Sequence, residues 1–479
     1  MPGGVAIDIS PRAASTARVR AASVGAIWVV TRCSNRPYVY VDKGRFFIFT
    51  QGEREEMSMN IIDELEWRDA INQQTDAEGL RELTGQKAVS LYCGVDPTGD
   101  SMHIGHLIPF MVLKRFQLAG HRPVILIGGA TGTIGDPSGR TTERSLQTLE
   151  QIQANVESLA AQLTKLFLTE DTNQAPMRIV NNYDWTHKIN VIEFLRDYGK
   201  NFSINAMLAK DVVASRLDGG ISFTEFSYQI LQSLDFLHLY QEEDVQLQIG
   251  GSDQWGNITS GLDLIRKKEG SEAKAFGLTI PLMLKADGTK FGKTAGGAVW
   301  LDPNKTTPYE FYQFWANTDD RDVVKYLKYF TFLSKERIDE LADKVQTEPH
   351  KREAQKTLAE EMTRFVHGDE LLDQAKRITA ALFSGDIKAL TADEIEQGFK
   401  EMPTFETTAE AKNIVDWLVE LGIEPSKRQA REDITKGAIY LNGERVSDLE
   451  LEVGANHAIG GKFVIIRKGK KNYSLVKIV

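Results

Sequence analysis

The feature that most constrains this 479-residue chain is an order of short strand, amphipathic helix and second short strand, with glycine-bearing exits from the strands, between residues 87 and 132. Lys87–Val95 reads as a strand and runs into a loop of Asp, Pro, Thr and Gly. A helix follows over about His103–Ala119, with Ile104, Leu107, Ile108 and Met111 at the i, i+3, i+4, i+7 spacing of one buried face. Pro109, inside it, has no N–H for the helical ladder and marks a place for a kink. Pro123–Ile127 is a second, wholly apolar strand that ends in Gly128-Gly129-Ala130-Thr131-Gly132. Apolar strands joined through helices belong to parallel sheets covered on both faces. The expected class is therefore α/β.

Beyond about residue 308 the strand signal gives way to charged amphipathic helices such as Lys351–His367. The organisation expected is an atypical N-terminal extension (1–58), disordered or peripheral, followed by a parallel-sheet domain (59–285). A mobile signature-loop linker (286–307), a helical domain (308–384), a second linker (385–412) and a small α+β module (413–479) complete it. No run of 18 apolar residues is present, so no ordinary membrane-crossing helix is expected. Two cysteines, Cys33 and Cys93, make no disulfide framework and suit a reducing, cytoplasmic setting.

Charge gives a divided message. With 57 Lys+Arg against 67 Asp+Glu the net charge is −10, which in bulk argues against nucleic acid. Locally the balance reverses: residues 461–479 carry six basic side chains and no acidic one, and Lys427, Arg428 and Arg431 lie just upstream. The first 56 residues hold eight basic and five acidic residues, and Asp8 is the only acid before Asp42. An organelle transit peptide fits that bias. Translated upstream sequence fits too, since Gly52-Glu53-Arg54-Glu55-Glu56 can be encoded by purine-only codons just ahead of Met57 or Met59. A secretory signal fits less well, because the apolar stretch Val24–Val30 is short.

Three motifs carry chemistry. In Asp96–His106 two histidines, His103 and His106, flank a glycine at the start of the first helix. A helix N-terminus attracts anions, and imidazole N–H groups add donors for phosphate oxygens. By spacing alone they are equally well a pair of capping histidines; a metal site is disfavoured because no third ligand cluster is evident. Lys290-Phe291-Gly292-Lys293-Thr294 places two lysines at i, i+3 in a loop flanked by Asp287-Gly288 and Gly296-Gly297, a cationic segment suited to a polyphosphate or simply to water. Tyr228, Gln232 and Asp235, at i, i+4, i+7, share one helix face, while Ile230, Leu231, Leu234 and Leu237 take the other. Such a polar face is more often solvated than part of a site.

His103-Ile104-Gly105-His106 and Lys290–Thr294 together are the paired signatures of class I aminoacyl-tRNA synthetases. From about Asn60 to Val479 the chain resembles bacterial-type tyrosyl-tRNA synthetase. The resemblance is carried by Leu91–Gly94, Gly128–Gly139, Asn181–Trp185, Ile221–Tyr228, Gln248–Asn257 and, in an RNA-binding module of the ribosomal S-four type, Pro425–Val446. It implies a Rossmann-like catalytic domain, a helical tRNA-recognition domain and a C-terminal RNA-binding domain. It also implies a homodimer and, as partners, L-tyrosine, ATP and tRNA(Tyr), with no membrane. Magnesium would arrive with ATP, without a dedicated protein site.

Residue by residue, the resemblance implies that Tyr92 and Asp235 meet a phenol hydroxyl. Asp136, Tyr228 and Gln232 would hold an ammonium group, and Gln254 would stand near a carboxylate. Gly94, Asp96, His103, His106, Asp253 and Lys293 would contact ATP. Thr98, His103, His106, Lys290, Lys293 and Thr294 would stabilise the transition state. Arg140 and Arg144 are further candidates, although Arg140 stands where the family often has lysine, and the two cations differ in geometry. Lys427, Arg428, Arg431, Arg467, Lys468, Lys470 and Lys471 would grip tRNA. The implied function is tyrosine–tRNA ligation. A tryptophanyl-type synthetase would not need the Tyr92–Asp235 pair, and a non-catalytic RNA-binding protein on the same scaffold could dispense with the loop lysines.

Overall fold

A computed structural model describes residues 38–42, 45–49, 59–138, 146–168, 175–289, 291–294, 297–400, 402–469 and 472–479. Residues 1–64 and 65–479 form two compact units. In the first, β1 (Tyr38–Asp42) and β2 (Arg45–Phe49) pair antiparallel, an element absent from the sequence reading; the rest of the extension up to residue 58 lies outside the described residues. No helix of the described residues is long and apolar enough to cross a membrane.

The second unit opens on a six-stranded sheet of β3 (Gln73–Gln74), β4 (Ser90–Val95), β5 (Arg122–Ile127), β6 (Arg178–Asn181), β7 (Val245–Gly251) and β8 (Phe276–Ile280). The spatial order is β3-β8-β7-β4-β5-β6; β3 is antiparallel to β8 and every other pairing is parallel. The first sequence strand begins at Ser90 because Lys87 is the C-cap of the preceding helix, Ala77–Gln86. Helices α1 (Ile104–Leu118), α2 (Leu149–Phe167), α3 (Phe223–Glu243) and α4 (Trp255–Glu269) make the connections, and α1 runs unbroken through Pro109. The chain leaves β4 toward β5 and later returns to place β7 on the other side of β4. Such a reversal opens a crevice beyond the carboxyl ends of those two strands, where ligands of this architecture bind.

After β8 comes the signature segment, with β9 (Lys293–Thr294) paired antiparallel to β10 (Gly297–Ala298). Helices α5 (Pro308–Ala316), α6 (Asp320–Phe330), α7 (Lys335–Thr347), α8 (Glu353–His367) and α9 (Asp369–Ser384) follow. Thr307 and Glu310 form a capping box that starts α5 behind Pro308. The end of α6 is tied to the sheet region by two buried guanidiniums. Arg68 donates to Lys328 O and Leu333 O at 2.8 Å, and Arg115 donates to Tyr329 O at 2.9 Å and Thr331 O at 2.6 Å. Cations at a helix C-terminus satisfy its orphan carbonyls and oppose its dipole.

The segment 385–412, expected to be a linker, is structured in good part. It contains α10 (Ala392–Gly398), β11 (Thr404–Thr407) and the start of the short strand β12 (Lys412–Asn413). Its glycines and Pro403 hid an apolar set, Ile387, Leu390, Ile395 and Phe399, that needs a partner surface. That surface is the C-terminal sheet, formed with β13 (Ile439–Leu441), β14 (Glu444–Arg445), β16 (Phe463–Lys468) and β17 (Asn472–Ile478) in the order β11-β17-β16-β13-β14; β15 (Glu452–Val453) pairs with β12. Alternate residues serve opposite faces. Phe463, Ile465 and Leu475 pack on the 378–399 cluster, whereas Val464, Ile466 and Val476 pack on α11 (Ile414–Glu420) and α12 (Lys427–Thr435).

Candidate active site

The ends of β4 and β7, the start of α1 and one face of α3 enclose a cavity of about 320 Å³. Of the residues singled out from sequence, Tyr92, Gly94, Asp96, Thr98, His106, Asp136, Tyr228, Gln232, Asp235, Asp253 and Gln254 all line it. Lys290, Arg140, Arg144, Lys470 and Lys471 lie outside the described residues, and Lys293 and Thr294 are described through their backbone alone.

At one end Tyr92 is buried and its hydroxyl has no hydrogen-bond partner among the described residues. Burial, with the Asp235 carboxylate nearby, holds this phenol well above its ordinary range, so it stays a neutral donor. Asp235, 2% exposed, accepts from Trp185 Nε1 at 2.9 Å and Asn182 Nδ2 at 3.0 Å. Burial pushes its carboxyl up to about 7, while those two donors pull it down. Gln232 Oε1 and Gln248 Oε1, also buried on cavity-lining residues, have no partner among the described residues either. Three unmet polar atoms in one cavity are costly in the empty protein and give a polar ligand something to satisfy.

The amide of Asn182 is a hub that sequence reasoning missed. Its Oδ1 accepts from Ala130 N at 2.7 Å, and its Nδ2 donates to Thr131 Oγ1 at 3.0 Å as well as to Asp235. Thr131 Oγ1 then donates to Asp96 Oδ1 at 2.8 Å, and the Tyr228 hydroxyl donates to Asp96 Oδ2 at 2.9 Å. Asp96, expected as a nucleotide contact, thus has both oxygens engaged by the protein and orients Tyr228. Glycine is needed at 128 because a Cβ there would fall 2.1 Å from Asp96 Oδ1. Asp136 accepts from Ser138 N at 2.9 Å and from Gln254 Nε2 at 2.8 Å. Asn182 and Trp185 stood in a segment noted for its resemblance, but a lone amide in a turn carries no local signal of a hub. Cys93 and Gln248 also line the cavity and were not singled out; burial pushes the Cys93 thiol up to about 12, leaving it neutral.

At the other end the two histidines realise the capping alternative and stay beside the cavity. His103 is the N-cap of α1, with Nδ1 accepting from Gly105 N at 3.1 Å, and His106 Nδ1 accepts from His103 N at 3.3 Å. The rings stack at 3.9 Å. An Nδ1 that accepts carries no proton, so each neutral ring bears its N–H at Nε2. Capping and anion binding are therefore compatible.

The basic residues of the C-terminal module divide into two sets. Arg428 and Arg431 are exposed on α12, as is Lys427, which pairs with Asp416 at 2.7 Å. Arg467 lies over the Tyr440 ring at 3.8 Å. Lys468, also expected to grip tRNA, is engaged within the protein. Its ammonium pairs with Glu424 at 2.8 Å and Asp433 at 3.2 Å, because its place on β16 brings it beside α12. Phe383, at the end of α9, is 96% exposed, an aromatic face that the sequence reading did not mark.

Known proteins place this geometry in a family. Residues 84–384 match the family model of tRNA synthetases class I (W and Y), and residues 394–476 match the tyrosine–tRNA ligase SYY-like C-terminal domain. Tyrosine–tRNA ligase 2 of Bacillus cereus is 78% identical over 420 residues, covering 88% of this chain and all of that protein. Tyrosine–tRNA ligase 1 of Enterococcus faecalis is 70% identical over 421 residues, again 88% of this chain and all of the relative. A C-terminally truncated mitochondrial tyrosyl-tRNA synthetase from Aspergillus nidulans superposes with a TM-score of 0.63 at 33% identity, covering 70% of this chain and 97% of its own. The chain belongs to the class I tRNA synthetases of the tryptophan and tyrosine group, and within them to the tyrosine–tRNA ligases.

Proposed function

We propose that the cavity activates L-tyrosine with ATP and that the chain then transfers tyrosine to the 3′-terminal ribose of tRNA(Tyr). The observation that carries this reading is the pairing of an unpartnered Tyr92 hydroxyl with the buried Asp235 carboxyl at the cavity end. Together they offer one donor and one acceptor to a phenol hydroxyl. An amino acid without that hydroxyl leaves both unpaired, which selects against phenylalanine. An indole offers only a donor, so the same pair fits tryptophan less well. Tyr228, Gln232, Asp136 and Gln254 hold the backbone end of the substrate, with Asp253 and Gly94 toward the ribose of ATP.

In the first step a tyrosine carboxylate oxygen bonds to the α-phosphorus of ATP, and the bond from that phosphorus to the bridging oxygen breaks. Pyrophosphate leaves with the electron pair. In the second step a ribose hydroxyl attacks the carbonyl carbon of the adenylate, loses its proton and expels AMP. The substrates supply the nucleophiles, so the protein contributes position and charge stabilisation. Thr98 and the Nε2–H groups of His103 and His106 serve the phosphates from the start of α1, and Lys290, Lys293 and Thr294 serve them from the signature segment. Magnesium would come with ATP as part of that substrate and would add positive charge on its phosphates.

The parts divide the work: the parallel-sheet domain performs chemistry, while the helical domain and the C-terminal module hold tRNA. Arg428, Arg431 and the exposed Phe383 are offered to its phosphates and unpaired bases. A second copy is expected to cover Val191, Ile192, Leu195, Ile204 and Phe223, each more than half exposed. Cytoplasm is the compartment proposed. The test is charging of total bacterial tRNA with radiolabelled tyrosine: acceptance confined to tRNA(Tyr) is expected, and no charging refutes the reading.

A further inference from the structure

Phe291 stands between the two signature lysines in sequence, yet its side chain is only 7% exposed. It enters an aromatic cage built by α5 and α6. Its ring stacks on Phe330 at 5.0 Å and meets Tyr326 at 5.0 Å, Trp315 at 5.8 Å and Phe314 at 5.9 Å. Stacked and edge-on neighbours on several sides leave such a ring one place to sit.

The next residue faces the other way. Gly292 has φ +88°, and a Cβ there would stand 3.3 Å from Ile104 Cγ1 and 3.4 Å from Gly105 N. The backbone at 292 therefore lies against the first turn of α1, beside His103 and His106. Hydrogen bonds continue the connection: Phe291 N donates to Met283 O at 3.3 Å, Val299 N to Gly292 O at 3.4 Å and Ile104 N to Val299 O at 2.9 Å. The flank before Phe291 is also tied to α6, by Ala286 N donating to Asp322 Oδ2 and Lys325 Nζ donating to Leu284 O, both at 3.0 Å. Core packing accounts for the cage. It does not call for a left-handed glycine that brings the same dipeptide against α1.

We propose that Phe291 is a positioning residue: anchored in the aromatic cage of α5 and α6, it fixes the backbone ahead of Lys293 against the start of α1 and so aligns the signature segment for adenylate formation. The proposal rests on the reading above, in which Lys293 stabilises the transition state of tyrosine activation. A misplacement of about 1 Å at such a group costs about 100-fold in rate.

The test is single-turnover tyrosyl-adenylate formation by the full chain at saturating tyrosine and ATP, with tyrosine affinity measured separately. Phe291→Ala is expected to slow the chemical step about 30- to 100-fold while tyrosine affinity stays within about two-fold. In a Lys293→Ala background the same change should cost less than about three-fold, because the group that it positions is gone. Phe291→Leu and Phe330→Leu, milder changes on each side of the stack, are expected to cost about five-fold and keep the test intact if the alanine variant does not fold. A Phe291→Ala rate within two-fold of wild type overturns the proposal, as does a cost that multiplies in full with that of Lys293→Ala. Loss of tyrosine affinity in Phe291→Leu overturns it too. A wild-type chain that does not activate tyrosine overturns the underlying reading instead.

Discussion

Replacing Trp185 with phenylalanine tests how the phenol end of the cavity is tuned. The indole donates to Asp235 Oδ1 at 2.9 Å, and its ring stacks on His238 at 4.2 Å. Phenylalanine removes the donor and keeps an aromatic ring in the stack. A hydrogen bond to a charged acceptor contributes about 1.5–3 kcal/mol, and one pKa unit corresponds to about 1.4 kcal/mol. The Asp235 carboxyl, already pushed up to about 7 by burial, should therefore rise by a further one to two units, roughly. The ionised acceptor is present above the pKa and lost as pH falls through it, so a raised pKa withdraws it from the neutral range. At pH 7 the ionised fraction falls from about one half to about one tenth or less, and tyrosine affinity falls about five-fold or more. By about pH 9.5 the variant approaches wild type. Equilibrium dialysis with radiolabelled tyrosine from about pH 5.5 to 9.5 gives both midpoints. A wild-type affinity that is flat through pH 7, or a midpoint that does not move in Trp185→Phe, refutes the reasoning.

Tyr92→Phe should leave thermal stability unchanged or slightly raised, because the buried hydroxyl has no partner among the described residues to lose, yet weaken tyrosine binding about three- to ten-fold. A drop in stability above about 1 kcal/mol would contradict this. Arg115→Met removes the donors to Tyr329 O and Thr331 O at the end of α6 and should destabilise the chain by about 3 kcal/mol in urea unfolding. An unmoved midpoint would mean that the clamp contributes nothing. Arg431→Ala should weaken tRNA binding and reduce the salt dependence of affinity by about one counterion, with no change in melting temperature. Lys468→Ala should instead lower the melting temperature, since it strands the buried Glu424 carboxyl; equal salt-slope effects from the two variants would show that Lys468 also meets phosphate.

The parallel sheet was legible because Lys87–Val95 and the wholly apolar Pro123–Ile127 are short runs whose glycine-bearing exits leave few alternatives, and the strands form there at Ser90–Val95 and Arg122–Ile127. The phenol end of the cavity was not legible from pattern. Tyr228, Gln232 and Asp235 form a polar helix face that water would ordinarily cover. Only the return of the chain to place β7 beside β4 folds that face over a crevice. Paired partners were equally hidden: Lys468 and Glu424 are 44 residues apart, and nothing near either one announces the other. Glycines and Pro403 disguised 385–412 as a linker, although its apolar residues complete a core that forms only once β11 aligns with β17. The signature histidines were read as caps or as anion donors, and the neutral tautomer makes room for both.

The central claim is that the Tyr92–Asp235 end of this cavity selects tyrosine for activation. Amino-acid-dependent exchange of pyrophosphate into ATP, run with each amino acid in turn, measures that choice without tRNA. Exchange with tyrosine and none above background with phenylalanine or tryptophan is the predicted result. Absence of exchange with tyrosine, or faster exchange with tryptophan, would contradict the account.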